Sequence, residues 1–472
     1  MTGTYATART MLADLTAKKV SARELLAAHL ARNAQVAATI NAVVETDIAR
    51  AQNDAAAIDD ARARGAALGR LAGLPMTIKD GFDVEHMPAT AGNPAYKDRA
   101  KDCADAAMVA RVRGEGAVIW GKTNVPFMLG DLQTFNAMHG TTNNPYDPTK
   151  VPGGSSGGAA AALASGVTPL EIGSDIGGSL RHPANFCGVT ALKPTLHVLS
   201  QRGHVPPGPD HYHEGDLGVV GPMARNVDDL KLLWSILRGM PEQARQGVKG
   251  TRVALWDEEA AWPLAREVRD GVERAGEALA AAGAHVEHAK PGIDGAALMD
   301  FYLTILTAIV ATGLPPTLLE SWEAMRPDDK LLAKNGDRAA DYRLRATATF
   351  RDVHAANVRQ QQHKDKLAAF FARYDVIVMP ISMVPPFPHQ QTPAFNDRIL
   401  DVDGVPVPYP SILNWISPAT ALHAPALAVQ AGRNAAGLPI GVQIVGPWNG
   451  EDRLFDFAAA VEDKFGFRPP AL

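Results

Sequence analysis

Cysteine is almost absent from this chain. Two thiols, Cys103 and Cys187, among 472 residues make no disulfide framework, and both read as buried, reduced side chains. An excess of one charge is also missing. With 46 Lys and Arg against 51 Asp and Glu, the net charge is −5, too even to gather a polyanion, so no nucleic-acid partner is expected. The opening residues, MTGTYATARTMLADL, lack a basic start, an apolar stretch and a small-residue cleavage site, which predicts a cytoplasmic location. Long uncharged runs are scarce. The one at 301–319 is broken by Gly313 and by Pro315-Pro316. It reads as a buried helix or the wall of an apolar pocket, and no membrane partner is expected. Internal repeats and low-complexity linkers are lacking as well.

What is there fits a folded protein with a large core. Apolar residues make up 46% and charged residues 21%, the proportions of a globular chain. Residues 6–64 read as helices. One spans 22–36, with Ser21 as cap and Glu24 completing a capping box, and a second, Ala-rich helix spans 45–64. Leu74, Met76 and Ile78 then alternate into a strand that ends at Lys79-Asp80. A helix at 106–113, a strand at 117–120 and loop to 146 follow. Next come a helix at 159–165 and a strand at 170–173. Further on, a strand at 253–256, a helix at 264–282 and a strand near Val286 make an α/β unit. A long helix at 344–374 leads to a strand at 376–379, a Pro-rich irregular stretch at 380–410, a strand at 439–445 and a closing helix at 454–465. Strands alternating with helices predict the α/β class. Residues 1–472 read as one domain, a helical N-terminal layer at 1–64 on a core at 65–472.

Three segments carry chemistry: GLPMTIKD at 73–80, GGSSGG at 153–158 and GSDIGGSLR at 173–181. A serine attacks an amide carbonyl only if its proton is removed and the resulting oxyanion is stabilised. Ser179 follows Gly177-Gly178 after a strand. The N–H groups of Ile176, Gly177, Gly178 and Ser179 can converge there on a negative oxygen, each such donor being worth about 3 kcal/mol. Lys79 serves as a base near neutrality only if its pKa falls by ~2–3 from ~10.4, and burial beside Leu74, Met76 and Ile78 is a route to that. Each feature has a plain alternative: a direction-changing turn, a helix cap at Ser156, a surface lysine. Two rival readings fit less well. GSSGG at 154–158 formally matches G-x-S-x-G, but residues 147–152 make a poor strand before such an elbow. No Lys-Ser/Thr pair follows the glycines, as a phosphate loop requires. His197, His204, His211 and His213 with Glu214 raise a zinc site. The prolines among them and their spacing fit no zinc pattern, so they read as exposed or pocket-lining.

Taken together, the segments closely resemble the amidase signature family. The hallmark region is 152–195, PGGSSGGAAAALASG and then IGSDIGGSLRHPANFCGVTALKPT, with 24 positions (179 − 155) between the outer serines. The resemblance runs through LAGLPMTIKDGFDV, WGKTNVPFM, GTTNNPYDP and HAPALAVQAGRNAAGLPIGVQIVGP, so it covers nearly the whole chain. It implies a mixed, twisted β-sheet covered by helices on both faces, with no metal or cofactor. It further implies Lys79 as base, Ser155 as bridging serine after a cis peptide, and Ser179 as acylated nucleophile. Ile176, Gly177 and Gly178, with Ser179, would form the oxyanion loop. Asp175 and Arg181 would brace that loop, and Ser156 would hydrogen-bond within the network. The implied partners are water and a small amide, with a homodimer expected from base rates. The implied activity is amidohydrolysis. The alternatives are hydrolysis of a carbamate, hydrazide or ester, and the role of the glutamine-cleaving A-type component of an amidotransferase. His182 and the stretch after Thr195 depart from that component's pattern. A catalytically dead binding protein is a third option, opposed by the three filled catalytic positions. Met128, Asp131, Gln133, residues 301–314 and residues 380–415 are candidate pocket walls. Among these, Met128, Gln133 and Trp415 are taken to touch substrate. Phe301, Tyr302, Phe387 and Trp415 point to a hydrophobic or aryl acyl group.

Overall fold

A computed structural model describes residues 3–99, 103–205 and 214–472. Its centre is an eight-stranded sheet in the order His285–His288, Arg252–Leu255, Val376–Pro380, Pro439–Val445, Ala426–Arg433, Thr190–Lys193, Val219–Ala224, Leu170–Asp175. The first three strands run parallel and every later pair antiparallel, so the sheet is mixed. The parallel end arises where Arg252–Leu255 crosses to His285–His288 through the helix Arg266–Ala281, the connection parallel strands require.

Helices cover both faces because successive strand residues point in opposite directions. Gly441 and Gln443 share one face. Gly441 N–H donates to Asn185 Oδ1 at 2.6 Å and Arg181 Nη1 to Gln443 Oε1 at 2.8 Å, which seats the helix Arg181–Phe186. Ile440 points the other way, against the helix Arg266–Ala281, so closely that a Cβ at Gly271 would lie 2.5 Å from it. A smaller sheet, Val43–Thr46, Val118–Thr123 and Pro75–Lys79, stands beside the last strand of the large one. Thr77 joins the two. Its N–H donates to Thr168 Oγ1 at 3.3 Å and its hydroxyl to Glu171 Oε1 at 2.6 Å. The end of Pro75–Lys79 is thereby set next to the end of Leu170–Asp175.

Local signals hold where they are strong. The helix Ala22–Ile40 opens with the Ser21/Glu24 capping box. Expectations fail where tertiary pairing decides. The helix expected at 45–64 begins at Ile48, because Val43–Thr46 pairs with Val118–Thr123 and Asp47 caps the helix instead. The helix expected at 344–374 is two, Arg338–Ala346 and Phe350–Phe371, parted where Thr349 and Asp352 form a second capping box. Within the stretch 380–410, Ile399–Val402 and Val405–Pro408 pair antiparallel. The uncharged run 301–319 closes the helix Gly295–Ala311 and opens Pro316–Lys334. Among the described residues, no helix is long and apolar enough to cross a membrane. Residues 151–156 form neither helix nor strand, so the strand a G-x-S-x-G elbow needs is missing.

The GGSSGG segment enters the buried helix Gly157–Ala164 through a very close approach. A Cβ at Gly158 would lie 2.4 Å from Asn124 N and 2.5 Å from Asn124 O. Gly158→Ala is therefore expected to destabilise the fold by about 1–3 kcal/mol, as overpacking does, measurable as a lower midpoint in chemical denaturation.

Candidate active site

Lys79 ends a fully buried strand, and its own side chain is fully buried. Its Nζ lies 2.8 Å from Ser155 Oγ, 2.9 Å from Ser156 Oγ and 2.9 Å from Ser174 Oγ. Burial pulls the amine down to about 7, against the opposing pull of the Asp175 and Glu171 carboxyls. An uncharged amine among hydroxyls is thus accessible at neutral pH. The Gly154–Ser155 peptide is cis. Ser156 N–H donates to the Ser179 carbonyl at 3.2 Å, which stitches the two glycine-rich loops together.

The loop that carries Ser179 is braced from below. Burial alone would raise Asp175, but the charge and hydrogen bonds of Arg181 outweigh it and hold the carboxyl well below the usual range. Arg181 donates Nε to Asp175 Oδ2 at 3.0 Å and Nη2 to Oδ1 at 2.9 Å. It also reaches the Ile416 carbonyl at 2.9 Å and Thr420 Oγ1 at 2.5 Å. The same carboxylate accepts Gly178 N–H at 2.8 Å and Leu180 N–H at 3.1 Å. Gly178 N–H is therefore committed inward. The N–H groups of Ile176, Gly177 and Ser179 take no internal acceptor among the described residues. Gly178 has φ +89°, and a Cβ there would meet His182 Cδ2 at 2.4 Å, so the turn admits only glycine.

A cavity of about 810 Å³ opens over these groups. Ser155, Ser174, Asp175, Ile176, Ser179 and His204 line one side, and Asn93, Gln201, Arg202, Glu214 and Asp216 add polar lining. Met128, Leu129, Val219, Ile309, Val310 and Leu314 are among its apolar lining. Met128 and the end of the uncharged run thus line the cavity. Gln133 and Trp415 do not. Gln133 is buried in a reciprocal pair with the Gln390 backbone, both bonds 2.8 Å. Trp415 is buried with its indole N–H on the Pro263 carbonyl at 3.1 Å and its ring against Trp262. Asp131 pairs with Arg398 and accepts from Tyr409. Phe301 and Phe387 pack in the core. Tyr302 stands behind the loop, donating its hydroxyl to the Ile176 carbonyl at 3.0 Å. Of the candidate zinc group, His197 pairs with Glu214 at 3.8 Å, and His204 Nε2 lies 2.8 Å from Ser174 Oγ. His211 and His213 lie outside the described residues. Asp257, Glu273 and His288 bring ligand atoms within 4.8 Å of one another elsewhere, already joined in ion pairs.

Sequence reasoning missed Ser174, Glu171 and the bracing role of Tyr302. Glu171 is pushed up to about 8 by burial and accepts from Thr77. A Glu between Leu170 and Ile172 in the fully buried strand LEIGSD was a signal for it. No local pattern ties Tyr302 to residue 176. Because Asp175 is a buried carboxylate whose one ion-pair partner among the described residues is Arg181, Arg181→Met is expected to cost about 3–5 kcal/mol, the usual effect of orphaning a buried charge. Thermal unfolding reads the loss, and restoration by the double variant Asp175→Asn/Arg181→Met checks its cause.

Comparison with known proteins matches residues 24–455 to the amidase family. The chain is 32% identical to the A-type component of the glutamyl-tRNA(Gln) amidotransferase of Acidothermus cellulolyticus, over 99% of this chain and 95% of the relative. It is 31% identical to the AtzE component of the 1-carboxybiuret hydrolase of Pseudomonas sp. (strain ADP), over 91% and 93%. A solved bacterial aryl acylamidase shares the fold with a TM-score of 0.81 at 24% identity, over 97% of this chain and 96% of that one. With the family profile covering most of the chain and two relatives above 30% identity, the chain belongs to the amidase family and is an amidohydrolase of the amidase signature type.

Proposed function

We propose that the protein cleaves a carboxylic amide C–N bond through an acyl-enzyme on Ser179, with Ser155 and Lys79 as proton relay. The observation that carries this reading is a buried amine, brought down to about 7, at 2.8 Å from a hydroxyl that shares a cavity with Ser179. Lys79 takes the Ser155 proton as Ser155 takes that of Ser179, and Ser179 Oγ attacks the carbonyl carbon. The tetrahedral oxyanion sits against the N–H groups of Ile176, Gly177 and Ser179, while Gly178 serves through its backbone conformation and its bond to Asp175. Collapse breaks the C–N bond. The proton passes from Lys79 through Ser155 to the departing amine, and water releases the acyl group along the same route.

The apolar wall of Met128, Leu129, Ile309, Val310 and Leu314 favours an uncharged, hydrophobic or aryl acyl group over an amino acid. Carbamates, hydrazides and esters present the same carbonyl to the same donors. The amidotransferase relative at 32% identity supports a second reading, the glutamine-cleaving component of a larger enzyme. Rates on anilides, free amides, hydrazides, carbamates and glutamine separate these. Hydrolysis of a hydrophobic anilide by the isolated chain is expected, and activity on glutamine alone would overturn the substrate assignment.

The relay fixes the sign of the pH dependence. Folding lowers the Lys79 pKa to about 7, so the base form is lost below that pH. On this basis kcat/KM is expected to rise about tenfold per pH unit up to roughly 7 and then level. Ser179→Ala is expected to lower kcat by about 10⁴-fold or more, and normal turnover by that variant would sink the mechanism.

A further inference from the structure

We propose that His204, acting through Ser174, sets the direction of the hydrogen bonds around Lys79 and so aims the amine lone pair at Ser155. The inference rests on the relay proposed above and adds a positioning residue to it.

The argument is a count of donors and lone pairs. A neutral amine has two N–H donors and one lone pair, and Lys79 Nζ has three hydroxyl neighbours at 2.8–2.9 Å. It donates to two of them and accepts from the third. Ser156 Oγ has a second acceptor for its proton, the Ser174 carbonyl at a long 3.5 Å, which leaves it free to accept from the amine. Ser155 and Ser174 are left, and whichever donates occupies the lone pair. His204 Nε2, 2.8 Å from Ser174 Oγ, decides between them. As an acceptor it draws the Ser174 proton. Ser174 Oγ then takes the second amine N–H, and the lone pair faces the Ser155 hydroxyl. As a donor it turns Ser174 around, the Ser174 proton fills the lone pair, and Ser155 has no base.

His204 is built into this position. It forms a β-bridge with Phe82, whose ring meets the imidazole edge-on at 4.8 Å, and Val205 N–H donates to the Gly81 carbonyl at 2.7 Å. The imidazole is thus fastened to the backbone just beyond Lys79, and it also lines the cavity. The charged groups around this wire are Asp175 and Glu171 on the neighbouring strand, and the pairs Asp80–Lys122 and Asp83–Arg99 on the segment after Lys79. Arg202, Glu214 and Asp216 lie along the cavity wall.

The test is a double-mutant cycle on a hydrophobic anilide. Ser174→Ala and His204→Ala are each expected to lower kcat about tenfold with KM little changed, and the double variant to be no worse than the poorer single. His204→Gln, whose amide oxygen can accept the Ser174 proton, is expected to recover most of the loss. Losses that multiply, or wild-type kcat in Ser174→Ala or His204→Ala, would overturn the wiring. Circular dichroism checks folding. Should His204→Ala fail to fold, Ser174→Ala and His204→Gln decide alone, the first slow and the second active if the inference holds. If Ser179→Ala retains turnover, the acyl-enzyme reading itself falls. If it is inactive while Ser174→Ala and His204→Ala turn over normally, only the wiring falls.

Discussion

Removing one amine from water is the constraint on which the rest of the structure turns. An ammonium buried at the position of Lys79 carries a desolvation penalty that its neighbours only partly offset. Asp175 and Glu171 pull toward the charged form, yet burial prevails. Glu171 contributes less than its formal charge suggests, because burial pushes its own pKa up to about 8. A strand, PMTIK, inside the apolar core delivers the amine. One glycine-rich loop and a neighbouring strand end then supply hydroxyls instead of carboxylates within bonding distance. Hydroxyls satisfy an amine without fixing its charge, as the proposed role of Lys79 as a base requires.

Arginine and lysine divide the work in a way their chemistries dictate. Arg181 stays charged in the interior because a guanidinium does not give up its proton and its planar fork matches a carboxylate. It therefore suits a static brace, and with Asp175 it holds the N–H groups of Gly178 and Leu180. The remaining N–H groups of that turn have no internal acceptor among the described residues. Lys79 carries the opposite specification, a charge that burial makes dispensable. The Asp175 carboxylate also pulls Lys79 toward its charged form, and burial outweighs that pull.

Most of this was legible in the chain because its chemistry is concentrated in short contiguous segments. GLPMTIKD, GGSSGG and GSDIGGSLR each place a lysine or serine of the candidate site at a strand end or a glycine turn, where local rules are strong, and Ser21 with Glu24 read correctly as a helix start. What escaped depends on direction or on distance along the chain. Val43–Thr46 is a strand because Val118–Thr123 lies beside it, which no local propensity reports. Trp415 looked like a pocket wall because it is aromatic, yet a large ring is equally at home in a core with its N–H satisfied, and that is where it lies. Tyr302 and His204 reach the site from segments far from residues 176 and 79, so composition marked them as pocket-lining or metal-ligating and missed the atoms they touch.

The cavity has two walls of different origin, and this separates selection from chemistry. The wall around Ser155, Ser174 and Ser179 comes from segments held by backbone bonds, a buried ion pair and glycines with no room for a Cβ. Little there can change without displacing an amine or a hydroxyl. The apolar wall comes from the end of the helix Gly295–Ala311 and the turn after it, with Met128 and Leu129 opposite at left-handed φ of +49° and +58°. Among the described residues, that turn makes no hydrogen bond to the amine or its hydroxyls. Its tolerance for exchange follows from the same burial argument. Val310 is exposed where Lys79 is sealed, so altering the wall disturbs the pocket's shape while the buried amine and its hydroxyls keep their geometry. A fold arranged this way can keep one amide-cleaving centre and vary the acyl group it admits.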